Sequence, residues 1–469
     1  MKRRCIGLIL ILILMIFTGI FGAEPVVAKT SDLATAEQET QEFDGYLVCI
    51  SDRNYAHLMG AAPGTSSPAN RLVRVDTLEE AEQIRRSVAV EYIEPNYIAD
   101  LFADDIAEEV SDGWPYEVVH ADYAAEYGLD GSGVRIAIID SGLDLNNADL
   151  TQASIAEGYD YIADSAEMQD DIYHGTAIAQ VIAADRNSIG VTGAAGGATI
   201  VPLRCFSSKS GGGTVQMLAQ AIYDAVDIYH CDIINMSWGF SSDTETLYDA
   251  IRYAYDAGVI LVAASGNVSD KYPQGTTAYP AAYDEVISVA AVDHRLDVLE
   301  TSLANAKVVL CAPGGYIPFV DEQGRSYTSS GTSFAAPYIA SAAVILKQLA
   351  PVLDNETIAE VMIQRAVDLG DAGRDNYFGY GFISLDLLIA TNWSHRKYNS
   401  LQGWCVHHGG CRITCASYND KGRFTDVWQM SVDTDFLAFD GTIESEKNDS
   451  FLIMYTDGGY RPLSEGDRY

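Results

Sequence analysis

Between Trp114 and the 380s, short runs that are apolar at every position alternate with stretches that are apolar on one helical face only. GVRIAIID leads to TAIAQVIAAD, TIVPLRCF to VQMLAQAIYDAV, and DIINMSWG to LYDAIRYAYDAG; VILVAASGN and EVISVAAVD follow. A strand that is apolar on both faces must be covered on both, and a helix after each strand brings the next one back parallel. The pattern predicts an α/β fold over residues 114–392, a parallel sheet with helices on both faces. Chemistry in such sheets gathers beyond the carboxyl ends of the strands. The polar residues that follow apolar runs are therefore the candidates: Asp140 after VRIAII, Ser237 within INMSWG and Asn267 after VILVAASG. His174 in YHGTAIAQ and Ser333 in SSGTSFAAP each open a helical run, and the small residues around Ser333 leave its hydroxyl little shielded.

At 469 residues the chain is expected to hold more than one unit. Its net charge of −37 argues against nucleic acid or an anionic membrane surface as partner, since both demand a basic face. Residues 1–28 have the layout of a secretory signal peptide, with Lys2, Arg3 and Arg4 before an apolar run and Val26-Val27-Ala28 as cleavage site. An uncleaved membrane anchor is the other reading of that run, and the only route to membrane contact. A secreted, extracellular protein is expected. Residues 43–102 read as a small α+β unit, from DGYLVCI (strand), LEEAEQIRRS (helix) and VEYIEP (strand). ADDIAEEVSDG reads as an exposed acidic linker, and residues 393–469 as a C-terminal extension with short β-like runs and no assigned role. Of the eight cysteines, Cys205, Cys231 and Cys311 sit in or beside apolar strands and are expected as buried thiols. Cys405, Cys411 and Cys415, with His407 or His408, could form a metal site, a disulfide with one thiol spare, or stay reduced.

Asp140, His174 and Ser333 are the parts of a nucleophilic relay. A serine hydroxyl needs a base to take its proton, a histidine titrates near working pH, and a buried carboxylate fixes the imidazole tautomer. The blocks IIDSGLD, HGTAIA and GTSFAAP, in that order, resemble the three catalytic blocks of the subtilisin-like serine proteases (subtilases). VAASGN resembles the family's oxyanion segment, which makes Asn267 the side-chain donor. Ser333 would then stand at a helix N-terminus, with Pro337 in the first turn, where a missing N–H does little harm. Three departures stand out: Ala177 and Gln180 replace the family's second histidine and its glycine, and Phe334 stands where methionine is commoner.

The same resemblance implies a peptide held as an extended strand. Ser237, Trp238 and Gly239 would lie on one side of it and Gly211, Gly212 and Gly213 on the other. Val268 and Ala278 would line a pocket without an acidic group, suited to a large apolar side chain before the cut bond (P1). It implies an inhibitory propeptide over residues 43–102, cut by the enzyme itself between Phe102 and Ala103. It also implies a structural Ca²⁺ site, with Asp149 and the Asn187 side chain as ligands beside the carbonyls of Asp185, Ile189 and Val191. A plain Asn-Ser turn closed by Gly190 is the alternative there. Two functions follow: a serine endopeptidase made as an inactive precursor, or an idle domain of that fold that binds through its C-terminal segment. Retention of Asp140, His174, Ser333 and Asn267 together favours the first.

Overall fold

A computed structural model describes residues 41–59, 68–103, 114–187, 189–209, 212–389 and seven strands between 393 and 468. The first forty residues, with the expected signal segment, lie outside it, as do Gly211, His407, His408 and most of the acidic linker. The N-terminal unit runs β1 (Phe43–Ile50), α1 (Asp52–Met59), β2 (Leu72–Val75), α2 (Leu78–Ser87) and β3 (Val90–Tyr97), with sheet order β2-β1-β3. Its helix α2 starts at a capping box: the Thr77 hydroxyl accepts from Glu80 N–H, and the Glu80 carboxylate accepts from Thr77 N–H. Val48, Ile50, Val73, Ala81, Ile84 and Ile93 are buried between sheet and helices, while Leu47 on the other face packs against the central unit. A two-residue strand, β4 (Asp100–Leu101), follows.

The central unit opens with α3 (Trp114–Val118) and α4 (Ala121–Glu126). It continues through β5 (Arg135–Asp140), β6 (Ser154–Ile155), β7 (Tyr159–Asp160), α5 (His174–Ala183), β8 (Thr199–Arg204) and α6 (Val215–Asp227). Then come β9 (Ile233–Met236), β10 (Trp238–Gly239), α7 (Glu245–Asp256), β11 (Ile260–Ala264), β12 (Ile287–Val292) and β13 (Leu310–Pro313). The hairpin β14 (Ile317–Val320) and β15 (Ser326–Ser329) leads to α8 (Thr332–Leu349), α9 (Asn355–Arg365) and α10 (Leu385–Ile389). The strands form one parallel sheet in the order β13-β12-β11-β9-β5-β8-β6, with β7 also paired to β8.

Each fully apolar strand feeds two cores. Ile136 and Ile138 of β5 pack with α5 and α8 on one face, while Ala137 and Ile139 pack with α6 and α7 on the other. That division is why these strands show no polar alternation, and it delivers the expected α/β architecture. Cys205, Cys231 and Cys311 are buried, as expected, and so is Cys49 of β1.

The seven described strands between 393 and 468 form two antiparallel sheets. One is β16 (Trp393–Lys397), β17 (Ser400–Val406) and β20 (Phe436–Thr442) in that order. The other is β19 (Phe424–Val432), β18 (Cys411–Tyr418), β21 (Ser450–Thr456) and β22 (Asp467–Arg468). Trp404 of β17 is fully buried within the core beneath α8.

Candidate active site

Asp140 ends β5 at the carboxyl edge of the sheet and is fully buried. Its Oδ1 accepts from Ser141 N–H at 2.7 Å and lies 2.7 Å from His174 Nδ1. A carboxylate facing Nδ1 keeps the proton there and leaves the lone pair on Nε2. His174 is the first residue of α5, and the residue before it, Tyr173, adopts a left-handed conformation with φ +73° and supplies no side-chain cap. Asp170 does the capping: Oδ1 accepts from the N–H groups of Ile172 and Tyr173, and Oδ2 from the N–H and hydroxyl of Thr176. The loop is anchored by buried Arg204, which reaches Asp160 at 2.6 Å, Asp171 at 2.8 Å and the Ser141 carbonyl at 2.9 Å. Burial pushes the Asp171 carboxyl up, but Arg204 and the hydroxyls of Ser207 and Ser208 hold it well below the usual carboxylate range.

Ser333 is the second residue of α8, whose N-cap, Gly331, has φ +143°. The hydroxyl is fully buried, contrary to the little-shielded position read from its small neighbours. Its cover comes from much earlier in the chain, because Phe102 and Ala103 lie across the start of α8. Ser333 N–H donates to the Phe102 carbonyl at 3.1 Å. A Cβ on Gly331 would stand 2.5 Å from that oxygen, 2.8 Å from Asn267 Nδ2 and 3.0 Å from Ala103 Cα, so only glycine leaves this space open. Thr332 fixes the Asn267 amide by donating its N–H (3.0 Å) and hydroxyl (2.9 Å) to Oδ1.

The segment leading to Phe102 runs as an extended strand between two edges. β4 pairs antiparallel with β10, and Phe102 N–H donates to the Ser237 carbonyl at 3.3 Å. On the other side Ala99 N–H donates to Gly213 C=O at 2.9 Å, and Ile98 bridges Thr214. A Cβ on Gly212 would sit 1.9 Å from the Ala99 carbonyl oxygen, which explains the glycine there. The Phe102 ring is buried and meets Tyr272 edge to face, with centroids 5.3 Å apart. A Cβ on Gly239 would lie 2.6 Å from that ring. Ala278 and Val268 belong to the same apolar cluster. Tyr272 escaped the sequence reading, since a lone aromatic in SDKYPQG carries no periodic signal.

Asp140 Oδ2, His174 Nε2 and Ser333 Oγ all lack hydrogen-bond partners at the centre. Ser333 Oγ and His174 Nε2 are both buried and neither makes a hydrogen bond, to each other or to any other group. A buried polar atom left unpaired costs stability and calls for a functional explanation. Catalytic hydrogen bonds commonly close only when the reacting geometry is reached.

Pro337 corrects another expectation. Since α8 begins at Thr332, the proline is its sixth residue and lies in the second turn, not the first. The Ser333 carbonyl thereby loses its donor four residues on. Ser237 replaces it: its hydroxyl donates to that carbonyl at 2.8 Å, and the Asn235 amide donates to Ser237 Oγ at 2.9 Å. Gln180 has a role as well, clamping β14 to α5 through two bonds with the Val320 backbone, at 2.9 and 2.8 Å. The Phe334 ring lies edge to face with His174, centroids 5.8 Å apart.

Around Asp149 the donors are all neutral. Asn187 Nδ2 donates to Oδ1 at 2.8 Å and Val191 N–H to Oδ2 at 3.0 Å, while Asn187 Oδ1 accepts from Ile189 N–H. The Asp185 carboxylate turns instead to Thr151 and Gln152, and Asp185 N–H bonds the Asp149 carbonyl. Burial pushes the Asp149 carboxyl up to about 6. A Cβ on Gly190 would stand 2.2 Å from Oδ2, so glycine keeps the space beside this carboxylate clear. A buried, unneutralised carboxylate among oxygen donors fits a hard cation, provided the Asn187 amide turns over to present its oxygen. Among the described residues no cluster of three or more His, Cys, Asp or Glu could hold a metal.

A buried carboxylate–imidazole pair, a helix-borne serine and a carbonyl lodged on that serine's N–H are the parts of a serine hydrolase. Residues 131–381 match the Subtilase family. The chain is 36% identical over 315 residues to minor extracellular protease Epr of Bacillus subtilis (strain 168), covering 65% of this chain and 47% of that one. It thus spans about half the length of that relative. To Subtilisin DY of Bacillus licheniformis it is 32% identical over 275 residues, covering 58% of this chain and 97% of that one. Its fold is similar to that of fervidolysin from Fervidobacterium pennivorans, a keratinolytic enzyme related to subtilisin (TM-score 0.64, 21% identity, 96% of this chain and 78% of that one). The chain belongs to the subtilase family and is a serine endopeptidase.

The bond from Ser237 to the proline-freed carbonyl can be tested alone. Ser237→Ala leaves a buried acceptor unpaired, at a cost of about 1–3 kcal/mol. A thermal melt should show the midpoint lowered by several degrees, and an unchanged midpoint would assign the hydroxyl no structural role.

Proposed function

We propose that this endopeptidase is secreted as a precursor that cuts itself after Phe102, and that it favours a large apolar residue at P1. The observation that carries the reading is the Phe102 carbonyl, held on Ser333 N–H by a strand paired on both sides. In the proposed reaction Ser333 Oγ attacks the Phe102 carbonyl carbon while His174 Nε2 accepts the hydroxyl proton. Asp140 supports the imidazolium, and Ser333 N–H with the Asn267 amide holds the oxyanion. The Phe102–Ala103 bond then breaks as His174 returns the proton to the Ala103 nitrogen. Water, deprotonated by the same imidazole, hydrolyses the ester to free Ser333. Protein substrates would enter as β4 does, along Ser237–Gly239 and Gly212–Gly213. Burial of the Phe102 ring against Tyr272 and Gly239 supports the apolar P1 preference.

Secretion rests on the signal-like residues 1–28 and on the extracellular relative. Among the described residues no helix is long and apolar enough to cross a membrane. Residues 43–102 would remain docked after cleavage, as an intramolecular inhibitor. Glu94 accepts from the N–H groups of Glu245 and Thr246 at the start of α7, at 2.8 and 2.9 Å, and Asn96 accepts from Gln216 N–H in the first turn of α6. A calcium ion at Asp149, the Asn187 oxygen and the carbonyls of Asp185, Ile189 and Val191 would tie this loop to the core.

Three outcomes test the reading. Purified parent chain should mature to a product beginning at Ala103, whereas Ser333→Ala stays joined across that bond; N-terminal sequencing decides, and two uncut chains would overturn self-processing. Chelator should lower the melting midpoint of the mature protein and Ca²⁺ should restore it, with Asp149→Asn insensitive to both; equal midpoints would leave the loop a plain turn. The third outcome concerns pH. Burial pushes the Glu94 carboxyl from an ordinary 4.5 up to about 7, against the pull of the two N–H groups. Docking therefore takes up a proton: it is strongest below about 4.5, weakens as pH rises toward about 7, and levels off above. Release of the cleaved segment, followed by gel filtration after pH jumps, should accelerate over that window and lose the dependence in Glu94→Gln. Faster release in acid would contradict it.

A further inference from the structure

The third residue before the proposed cut, Asp100, does not point freely into solvent. Its Oδ2 lies 2.5 Å from Lys271 Nζ and accepts from the Tyr272 hydroxyl at 2.6 Å. Its backbone is fixed independently, since Asp100 pairs with Gly239 and Leu101 with Trp238 in the β4–β10 ladder. Lys271 and Tyr272 are held side by side by a tight turn, in which Ser269 and Tyr272 exchange backbone hydrogen bonds at 3.0 and 3.1 Å. The Lys271 ammonium sits over the Tyr272 ring, 5.6 Å from its centroid. That ring is buried and meets Phe102. One tyrosine therefore touches the side chain at P1 with its ring edge and the one at P3 with its hydroxyl.

We propose that Lys271 and Tyr272 form a subsite selecting Asp or Glu at P3, so that the enzyme reads an acidic residue two positions before a large apolar one. The inference rests on the reading of residues 98–102 as the bound substrate strand. Its physical basis is a charge-assisted pair of hydrogen bonds, one from the Lys271 ammonium and one from the Tyr272 hydroxyl, which also reaches the Gly239 carbonyl at 3.3 Å and is thereby anchored beside P3. The cation is placed with equal economy. In a chain of 29 Lys and Arg against 66 Asp and Glu, a lysine at the groove offsets the repulsion that an acidic substrate residue would meet. The arrangement disfavours Lys and Arg at P3 for the same reason.

The test uses the mature enzyme and three peptides built on residues 98–105, Ile-Ala-X-Leu-Phe-Ala-Asp-Asp, with X as Asp, Asn or Lys. The readout is the ratio of kcat/KM between peptides within each enzyme, which cancels any general loss of activity. For the parent, Asp over Asn should be about tenfold and Asp over Lys larger, with both ratios shrinking at high salt. In Lys271→Gln the Asp over Asn ratio should fall to about 2, and in Lys271→Glu the order of Asp and Lys should invert. Tyr272→Phe should reduce the Asp over Asn ratio while leaving the salt dependence in place. A parent that cuts all three equally after Phe, or a preference that survives Lys271→Gln, overturns the subsite alone. A parent that cuts none of them overturns the reading of the groove, and the subsite with it.

Discussion

Residues 99–102 lie as a strand between β10 and the Gly212–Thr214 edge, and they end with a carbonyl on Ser333 N–H. Much else is arranged around that placement. Gly212 and Gly331 are glycines because the strand passes where their Cβ atoms would be. Ser333 is buried beneath Phe102 and Ala103, which lie across the start of its helix. The N-terminal unit carries the strand into place by setting Glu94 and Asn96 on the N-termini of two helices, α7 and α6. On the proposed reading, inhibition and substrate recognition would be one geometry seen at two stages, with the same hydrogen bonds serving both.

The helix that bears Ser333 is tied to the segment Ser237–Gly239 that pairs with β4. Pro337 removes the donor that the Ser333 carbonyl would have had, and the Ser237 hydroxyl supplies another. Because the Ser237 carbonyl also takes Phe102 N–H, a single residue links residues 98–102 to the start of the helix that carries Ser333. On the other flank, the Asp140–His174 pair is positioned by a buried ion triad around Arg204 and by Asp170, which caps α5 where Tyr173 offers nothing. The strain of a left-handed Tyr173 next to His174 is offset by these bonds.

How much of this could be read from the chain depends on whether a feature is local. Strands such as RIAIID and ILVAA announce themselves, because being buried on both faces leaves an unbroken apolar run. The blocks around Asp140, His174, Asn267 and Ser333 carry enough identity in order to be recognised. The short strand LVRV and the helix DRNYAHLM in the N-terminal unit went unread; four residues, or a weakly amphipathic eight, hardly rise above loop composition. Burial of Ser333 could not be read from its small neighbours, since its cover is delivered from Phe102. The turn of α8 that holds Pro337 depended on knowing that the helix starts at Thr332, and helix starts are the least legible feature of a sequence. Lys271 and Tyr272 gain meaning only when Asp100 is laid beside them.

The central claim is that Ser333, activated by His174, is the nucleophile that cuts Phe102–Ala103 and that is open to outside substrates once this cover leaves. Labelling with a peptidyl phosphonate carrying phenylalanine next to the phosphorus, followed by peptide mass mapping, tests it directly. The account predicts one adduct, on Ser333, in the mature enzyme, and none in a His174→Ala chain that still holds residues 102 and 103 together. An adduct elsewhere, or a mature enzyme that takes no label at Ser333, would contradict it.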